Sequence, residues 1–181
     1  MSRIPYQPAD LDDSQGLAES IRKRRGGKLY NLDRMLLHSP PLASGWHRFI
    51  PAMRNDLAVE KKLTELAICL IAVINEAEYE FHHHAPMFLA AGGTHEQLLA
   101  IQSPPDAVAN EAMFTTVEIA VLRLTIEMTE SVKVSDATFT AIRNELPNEQ
   151  QLVELIGIIA AYNMVSRFLV ALGIAPEQAT S

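Results

Sequence analysis

The sequence predicts an all-α protein, a single-domain helical bundle. Apolar residues recur at helical spacing, as with Ile119, Leu122 and Ile126. No stretch alternates apolar and polar residues between hairpin turns, as strands of an antiparallel sheet would. The chain has 181 residues, of which 48% are apolar, and this is enough to bury one core without disulfides or metals. We expect an irregular N-terminal arm over 1–13 and one helical domain over 14–181.

Glycine and proline signals divide the first half of the chain into helices. Gly26-Gly27 and Gly92-Gly93 suit the left-handed backbone that follows a helix end. Ser39-Pro40-Pro41 interrupts a helical stretch. Thr94 is a candidate N-cap, with Gln97 at capping-box spacing. The helices predicted here cover residues 14–25, 31–37, 41–53, 57–74, 76–91 and 96–101. The second half of the helix over 57–74 is apolar on all sides, which predicts a buried central helix.

Turn and cap residues also divide the second half of the chain into helices. A turn is predicted at Ser103-Pro104-Pro105, followed by a long amphipathic helix over 110–129. Ser135 is the predicted cap of a helix over 136–145. After a turn at 146–148, a final apolar helix is predicted over 150–172.

Charge and cysteine content exclude several classes of protein. The net charge is −7 and the isoelectric point about 5.3, whereas nucleic-acid binders are usually basic. The single basic run, over 22–25, is predicted to be a solvated helix end. The only cysteine, Cys69, lies in an apolar run and forms no Cys-x-x-Cys motif, which fits a reducing compartment.

Neither a leader peptide nor a membrane span is predicted. Residues 1–13 lack the apolar stretch of a secretory signal. The longest strongly apolar run, over 66–74, is shorter than the ~20 residues of a membrane span. We expect a soluble cytoplasmic protein that binds neither nucleic acid nor membrane.

The segment over 76–92 carries most of the ionisable groups suited to chemistry. Glu80 and His84 are four residues apart and share one helix face, with His83 close to it. If the helices on either side of Asn75 pack antiparallel, Glu65 comes near His84. Burial raises the pKa of a carboxyl group, and a neighbouring carboxylate raises that of a histidine. Such a pair suits acid–base catalysis near neutral pH.

Other interpretations of these residues stay open at this point. A Glu and a His four residues apart can be a simple surface pair. Glu80-x-x-His83 has the spacing found in di-iron bundles, which need a second such motif that this chain lacks. A single zinc ion held by His and Glu is a further alternative. A helical oligomer without catalytic activity is a third.

Two motifs resemble a known family. The segment EYEFHHH at 78–84, followed by Pro86 and Ala91-Gly92, is similar to a stretch of carboxymuconolactone decarboxylases in the alkylhydroperoxidase-D-like superfamily. LTELA at 63–67 resembles the helix that precedes it there, and features at 25–27, 36–40 and 45–46 resemble upstream parts. The likeness covers about residues 20–101.

The resemblance separates two branches of the superfamily. The peroxidase branch uses a glutamate, a Cys-x-x-Cys pair and a histidine, which fall here on Glu65, Ala77, Glu80 and His84. The glutamate and the histidine of the proton relay are present, but neither cysteine is. Cys69 has no second cysteine with which to pair. Disulfide cycling needs a nucleophilic and a resolving thiol. Peroxidase activity is therefore disfavoured.

The decarboxylase branch implies a lyase that acts on a small lactone acid without an organic cofactor or metal. His84 would donate the proton, and Glu65 or Glu80 would orient it. An isomerase or a lactone-opening enzyme would use the same groups. The residues expected to contact the substrate are Tyr79, His83 and Trp46. For Trp46, packing in the core is the competing interpretation. The resemblance also implies a homotrimer or homohexamer.

Overall fold

The computed structural model describes residues 2–13 and 16–177, and all regular secondary structure within them is α-helical. The predicted all-α class is confirmed. The helices are α1 (Leu17–Arg24), α2 (Asn31–Leu36), α3 (Pro40–Asn55), α4 (Lys61–Ile74), α5 (Glu78–Ala90), α6 (His95–Ala100), α7 (Pro104–Val108), α8 (Thr116–Glu130), α9 (Asp136–Glu145) and α10 (Glu149–Leu172). The predicted start of the first helix, at Ser14, lies outside the described residues.

The chain divides into two compact units. The terminal unit combines the residues up to Asp56 with those from Ala171 onward, and the central unit is Leu57–Val170. The predicted division into an arm over 1–13 and a domain over 14–181 stays a prediction.

The terminal unit is built on α3, against which α1 and α2 pack. Two long-range hydrogen bonds join the N-terminal and C-terminal parts of this unit. The Arg3 amide donates to the carbonyl of Leu172 at 2.9 Å. The Asn31 amide, at the start of α2, donates to the Glu177 carboxylate at 2.7 Å. Hydrogen bonds across more than 140 residues of sequence thus connect Arg3 with the end of α10 and Glu177 with the start of α2.

The central unit is organised around α4, which packs against α5 and α8. Every residue from Leu63 to Ala72 is buried, so the predicted buried central helix is confirmed. The core beside it comprises Leu66, Cys69, Leu70, Phe88, Leu98, Ile101, Ala107, Phe114 and Leu122. Two of the residues buried in α4, Thr64 and Glu65, are polar. Glu65 brings an ionisable group into the interior of the central unit.

The start of α4 differs from the prediction of a helix over 57–74. The amides of Ala58 and Val59 donate to the carboxylate of Glu154 at 2.7 and 2.9 Å. Residues 57–60 are therefore held extended against α10 rather than wound into α4. Because the partner lies about 95 residues away in the sequence, the extended conformation could not be predicted from residues 57–60 alone.

Residues 103–115 also differ from the prediction. Pro104 and Pro105 occupy the first turn of the short helix α7, where the missing proline amide is no loss. The long helix begins at Thr116 instead of residue 110, because Thr115 and Glu118 form a capping box that starts α8. The predicted caps Thr94 and Ser135 are confirmed, each accepting a hydrogen bond from an amide of its helix.

The connection between α4 and α5 is short and tightly held. Asn75 ends α4, and its side-chain amide donates to Asn163 at 3.2 Å and to Ser166 at 2.7 Å. Glu76 adopts a left-handed backbone with φ of 54°, which a non-glycine residue seldom does. The Ala77 amide donates to the carbonyl of Ala72 at 2.8 Å. These contacts turn the chain at once, so that α5 runs back along α4.

One helix in the described part of the chain, α10, is long and apolar enough to cross a membrane. Half of the apolar stretch is buried within the fold, and core helices of many proteins pass the same test. The finding is therefore weak evidence for a membrane span. The prediction of no membrane contact considered uninterrupted apolar runs only, whereas α10 is apolar with polar residues such as Asn163 and Ser166 turned inward.

Gly93, after the end of α5, provides a test of the packing. A Cβ atom at this position would lie 2.2 Å from the ring of Phe88, which is fully buried. We expect Gly93→Ala to destabilise the fold by about 1–3 kcal/mol because the ring cannot move aside. A matched control is Gly45→Ala in α3, where no described atom lies within 4 Å of the added carbon. It should be neutral or stabilising. Urea denaturation of both variants measures the difference, and equal stability would contradict the packing.

Candidate active site

The candidate site is a buried carboxylate–imidazole pair between α4 and α5. Glu65, in the second turn of α4, has no solvent-exposed surface, and His84 of α5 is 7% exposed. Nδ1 of His84 lies 2.7 Å from Oε2 of Glu65. The sequence predicted that antiparallel packing would bring these two residues together, and the structure confirms that contact. The sequence left open whether Glu65 or Glu80 pairs with the imidazole, and the structure shows that Glu65 does.

The surroundings of Glu65 keep it ionised. Burial alone would raise the pKa of this carboxyl group, but the hydrogen bond and charge of His84 and the ammonium of Lys61 lower it below its usual value. Nζ of Lys61 lies 3.1 Å from Oε1, at ion-pair distance. An ionised carboxylate only accepts hydrogen bonds, so Nδ1 of His84 carries the proton in this contact.

An aromatic ring completes the surroundings of the imidazole. Tyr162 of α10 lies edge-on to His84, with ring centres 5.0 Å apart, and is itself fully buried. This contact fixes the plane of the imidazole as Glu65 fixes its tautomer. Tyr162 was not predicted as a site residue from the sequence. It lies 78 residues after His84, and no local motif links it to the site.

Glu80 is a second buried carboxyl group, in a contrasting environment. It is 1% exposed, and neither oxygen has a hydrogen-bond partner among the described residues. Burial raises its pKa well above the usual value. The surroundings of Glu65 and Glu80, on neighbouring helices, thus shift the two carboxyl pKa values in opposite directions, that of Glu65 down and that of Glu80 up.

Cys69 lies one turn after Glu65 and is fully buried. Burial raises the pKa of its thiol, and the negative charge of Glu65 raises it further. The thiolate is the nucleophilic form of cysteine. This sulfur is therefore held as an inert thiol in the core, as the sequence predicted.

The predicted substrate-contact residues fall in two places. Tyr79 and His83 share a face of α5, with ring centres 4.5 Å apart. Tyr79 is buried and His83 is half-buried. Trp46 lies on α3 in the terminal unit, where it is buried. The roles of these three residues stay predictions.

Metal ligation gains no further support from the geometry. Within residues 2–13 and 16–177, no three His, Cys, Asp or Glu side chains are grouped so as to hold an ion. The sequence alternative of a zinc ion held by Glu80 and a histidine therefore lacks a third protein ligand in the described chain.

The raised pKa of Glu80 predicts a particular dependence of stability on pH. Its pKa is raised on folding, so the stability that it contributes is complete below pH 4.5, its usual pKa, and is lost as the pH rises. The loss is about 1.4 kcal/mol per pH unit until the folded carboxyl group ionises. Glu80→Gln should abolish this component, whereas Glu78→Gln, at an exposed position of the same helix, should retain it. Urea denaturation between pH 5 and 8 measures both. Parallel curves for wild type and Glu80→Gln would show that Glu80 is ionised in the fold.

Comparisons with known proteins place this geometry in a known fold. No protein-family model matches the sequence, and no curated protein does so either. Among solved structures, it is similar to an uncharacterized peroxidase-related protein from Silicibacter sp. TM1040, with a TM-score of 0.79 and 13% identity. That alignment covers 97% of this chain and 92% of the other.

Two further structures are similar over nearly the whole chain. One is the alkylhydroperoxidase AhpD core protein, described as an uncharacterized peroxidase-related protein, from Ralstonia eutropha JMP134. It has a TM-score of 0.76 and 15% identity, covering 98% of this chain and 93% of that one. The other is a cysteine-to-alanine variant of the debrominase Bmp8 in complex with 2,3,4-tribromopyrrole. It has a TM-score of 0.78 and 16% identity, covering 99% and 95%. This protein therefore has the alkylhydroperoxidase-D-like fold that its sequence motifs predicted.

Proposed function

We propose that this protein is a cofactor-free acid–base enzyme, a lyase or isomerase that acts on a small organic acid or lactone. The observation that carries the proposal is the 2.7 Å contact between Glu65 and His84 in a buried site. A carboxylate that fixes one imidazole nitrogen leaves the other nitrogen oriented for proton transfer.

The pair suits a decarboxylation of the carboxymuconolactone type. Loss of carbon dioxide leaves an electron pair that a conjugated carbonyl group takes up as an enolate. Protonation of the enolate at carbon completes the product, and His84 supplies this proton through Nε2. The imidazole then regains a proton from water, so that one proton is taken up for each carbon dioxide released. Glu65 holds Nδ1–H throughout and stabilises the imidazolium before transfer.

The neutral carboxyl group of Glu80 fits a second role. A buried, protonated carboxylic acid donates a hydrogen bond to an oxyanion that develops in the transition state. A site that excludes water strengthens such a bond. We assign Glu80 this role as part of the proposal, with Tyr79 and His83 as the residues expected to contact the substrate. The role of Trp46, which belongs to the terminal unit, stays a prediction from the sequence.

Two observations favour this chemistry over a thiol peroxidase. The chain has one cysteine, and the pKa of that thiol is raised by burial, so it offers neither a thiolate nor a resolving partner. The similar debrominase structure holds a small halogenated ring, which supports a small organic molecule as the substrate here.

A cytoplasmic homotrimer or homohexamer is also part of the proposal, and light scattering after gel filtration tests the stoichiometry.

Substitution of the pair tests the proposal. The assay follows the loss of ultraviolet absorbance from a panel of unsaturated lactone acids that includes γ-carboxymuconolactone. We expect His84→Asn and Glu65→Gln each to lower kcat at least about 100-fold, because a positioned acid or base contributes about 10²–10⁴-fold. The matched controls are His82→Asn in α5 and Glu60→Gln just before α4, which change exposed residues. They should retain activity within about twofold, since surface substitutions away from such features rarely matter.

Circular dichroism of all four variants separates loss of chemistry from loss of folding. Full activity in a folded His84→Asn variant would refute the proposed role of the pair. Turnover of a hydroperoxide by wild type, lost on Cys69→Ala, would instead establish thiol chemistry.

A further inference from the structure

Lys61 is a charged residue beside the proposed active site, and the proposed function gives it no role. It is the first residue of α4, one helical turn before Glu65. Its ammonium nitrogen Nζ lies 3.1 Å from Oε1 of Glu65, whereas Oε2 of the same carboxylate lies 2.7 Å from Nδ1 of His84. The two oxygens of one buried carboxylate are thus divided between a lysine and a histidine.

The order of the side chains along α4 and α5 explains this division. Lys61, Glu65 and Cys69 follow one another at four-residue spacing and share one face of α4. Because α5 runs back along α4, His84 meets Glu65, and Lys61 lies one turn further towards the start of α4. The side chain of Lys61 is 50% exposed, whereas that of Glu65 has no exposed surface. Lys61 therefore places a charge from the solvent side against the buried pair.

The charges that act on Glu65 come from two residues. Burial raises the pKa of this carboxyl group, and the hydrogen bonds and charges of His84 and Lys61 lower it. His84 is itself the group whose protonation matters in the proposed reaction. Lys61 is therefore the positive charge outside the reacting pair that acts on this carboxylate within the described chain.

The other ionisable groups packed around the pair oppose Lys61 little. Cys69 of α4 and Glu80 of α5 are buried, and burial raises the pKa values of both, which favours their uncharged forms. Tyr162 of α10 presents the edge of its ring to the imidazole. On α8, the buried carboxylate of Glu118 pairs with Lys62 at 2.6 Å.

A shared carboxylate has a weaker effect on the imidazole than an unshared one. A carboxylate beside a histidine favours the imidazolium form and so makes it a weaker acid. The ammonium of Lys61 offsets part of the negative charge of Glu65 and opposes this effect. An acid transfers its proton most efficiently when its strength matches the working pH. A lysine on the second carboxylate oxygen is a means to adjust that strength.

We propose that Lys61 is a positioning residue of the site, which acts through Glu65 to set the acid strength of His84. The role of His84 as the proton donor rests on the proposed function, whereas the effect of Lys61 on its proton equilibrium does not. The alternative is an ion pair that only stabilises the start of α4.

An NMR titration of the His84 imidazole between pH 5 and 10 tests the proposal without any substrate. Comparison with His84→Asn assigns the signal. We expect Lys61→Gln to make the imidazole bind its proton at least about threefold more tightly, because a nearby positive charge is lost, even though solvent screens part of it. Lys61→Arg keeps the charge and should stay within about twofold of wild type.

Lys62→Gln is the matched control. Lys62 is the next residue of α4, and it pairs with the buried carboxylate of Glu118 on α8. Its substitution therefore removes a similar ion pair that does not reach the imidazole. The proton affinity of His84 should stay within about twofold of wild type in this variant. Urea denaturation of both glutamine variants records how much stability each ion pair contributes.

Two outcomes would overturn the proposal. One is a His84 titration in Lys61→Gln that coincides with that of wild type, and the other is an equal shift in Lys62→Gln. Either would leave the contact between Lys61 and Glu65 with a structural role alone. Lack of turnover on every lactone acid would refute the proposed function and not this effect, because the titration needs no substrate. Where a substrate is turned over, the alkaline limb of the pH–rate profile should move to higher pH in Lys61→Gln, since the imidazolium persists further.

Discussion

The buried contact between Glu65 and His84 is the constraint on which the central unit depends. An ionised carboxylate without exposed surface is tolerated only with partners, and removal of one partner of such a pair typically costs about 3–5 kcal/mol. The partner comes from the next helix, so α4 and α5 must pack in one register. The turn at Asn75 holds that register through hydrogen bonds to Asn163 and Ser166. Glu76 accepts an unfavourable left-handed backbone for the same purpose.

The same two helices shift the pKa values of two glutamates in opposite directions. The pKa of Glu65 is lowered because His84 and Lys61 outweigh the effect of its burial. The pKa of Glu80 is raised because burial acts there without a hydrogen-bond partner in the described chain. Carboxyl groups whose pKa values are driven apart are the usual arrangement of an acid–base site. A buried carboxyl group at position 80, where the peroxidase branch has a cysteine, changes the chemistry that this fold can carry.

Local signals in the sequence were enough for much of this structure. Helical spacing, the glycine stops and the caps at Thr94 and Ser135 predicted most helices, and four-residue spacing with a short turn predicted that Glu65 meets His84. Contacts between distant segments were not predictable in this way. Glu154 draws residues 57–60 out of α4, and Tyr162 reaches His84 from the last helix. The basic run over 22–25 was interpreted as a solvated helix end, since its partners Asp33 and His47 come from later helices.

Nitrogen-15 NMR of the His84 imidazole tests the central claim most directly. The spectrum distinguishes a protonated from an unprotonated Nδ1, and comparison with His84→Asn assigns the signal among the six histidines. Because ionised Glu65 only accepts hydrogen bonds, the account predicts that Nδ1 is protonated at neutral pH and that Glu65→Gln changes its shift. An unprotonated Nδ1 with the proton on Nε2, unaffected by Glu65→Gln, would contradict the pair as the centre of the site.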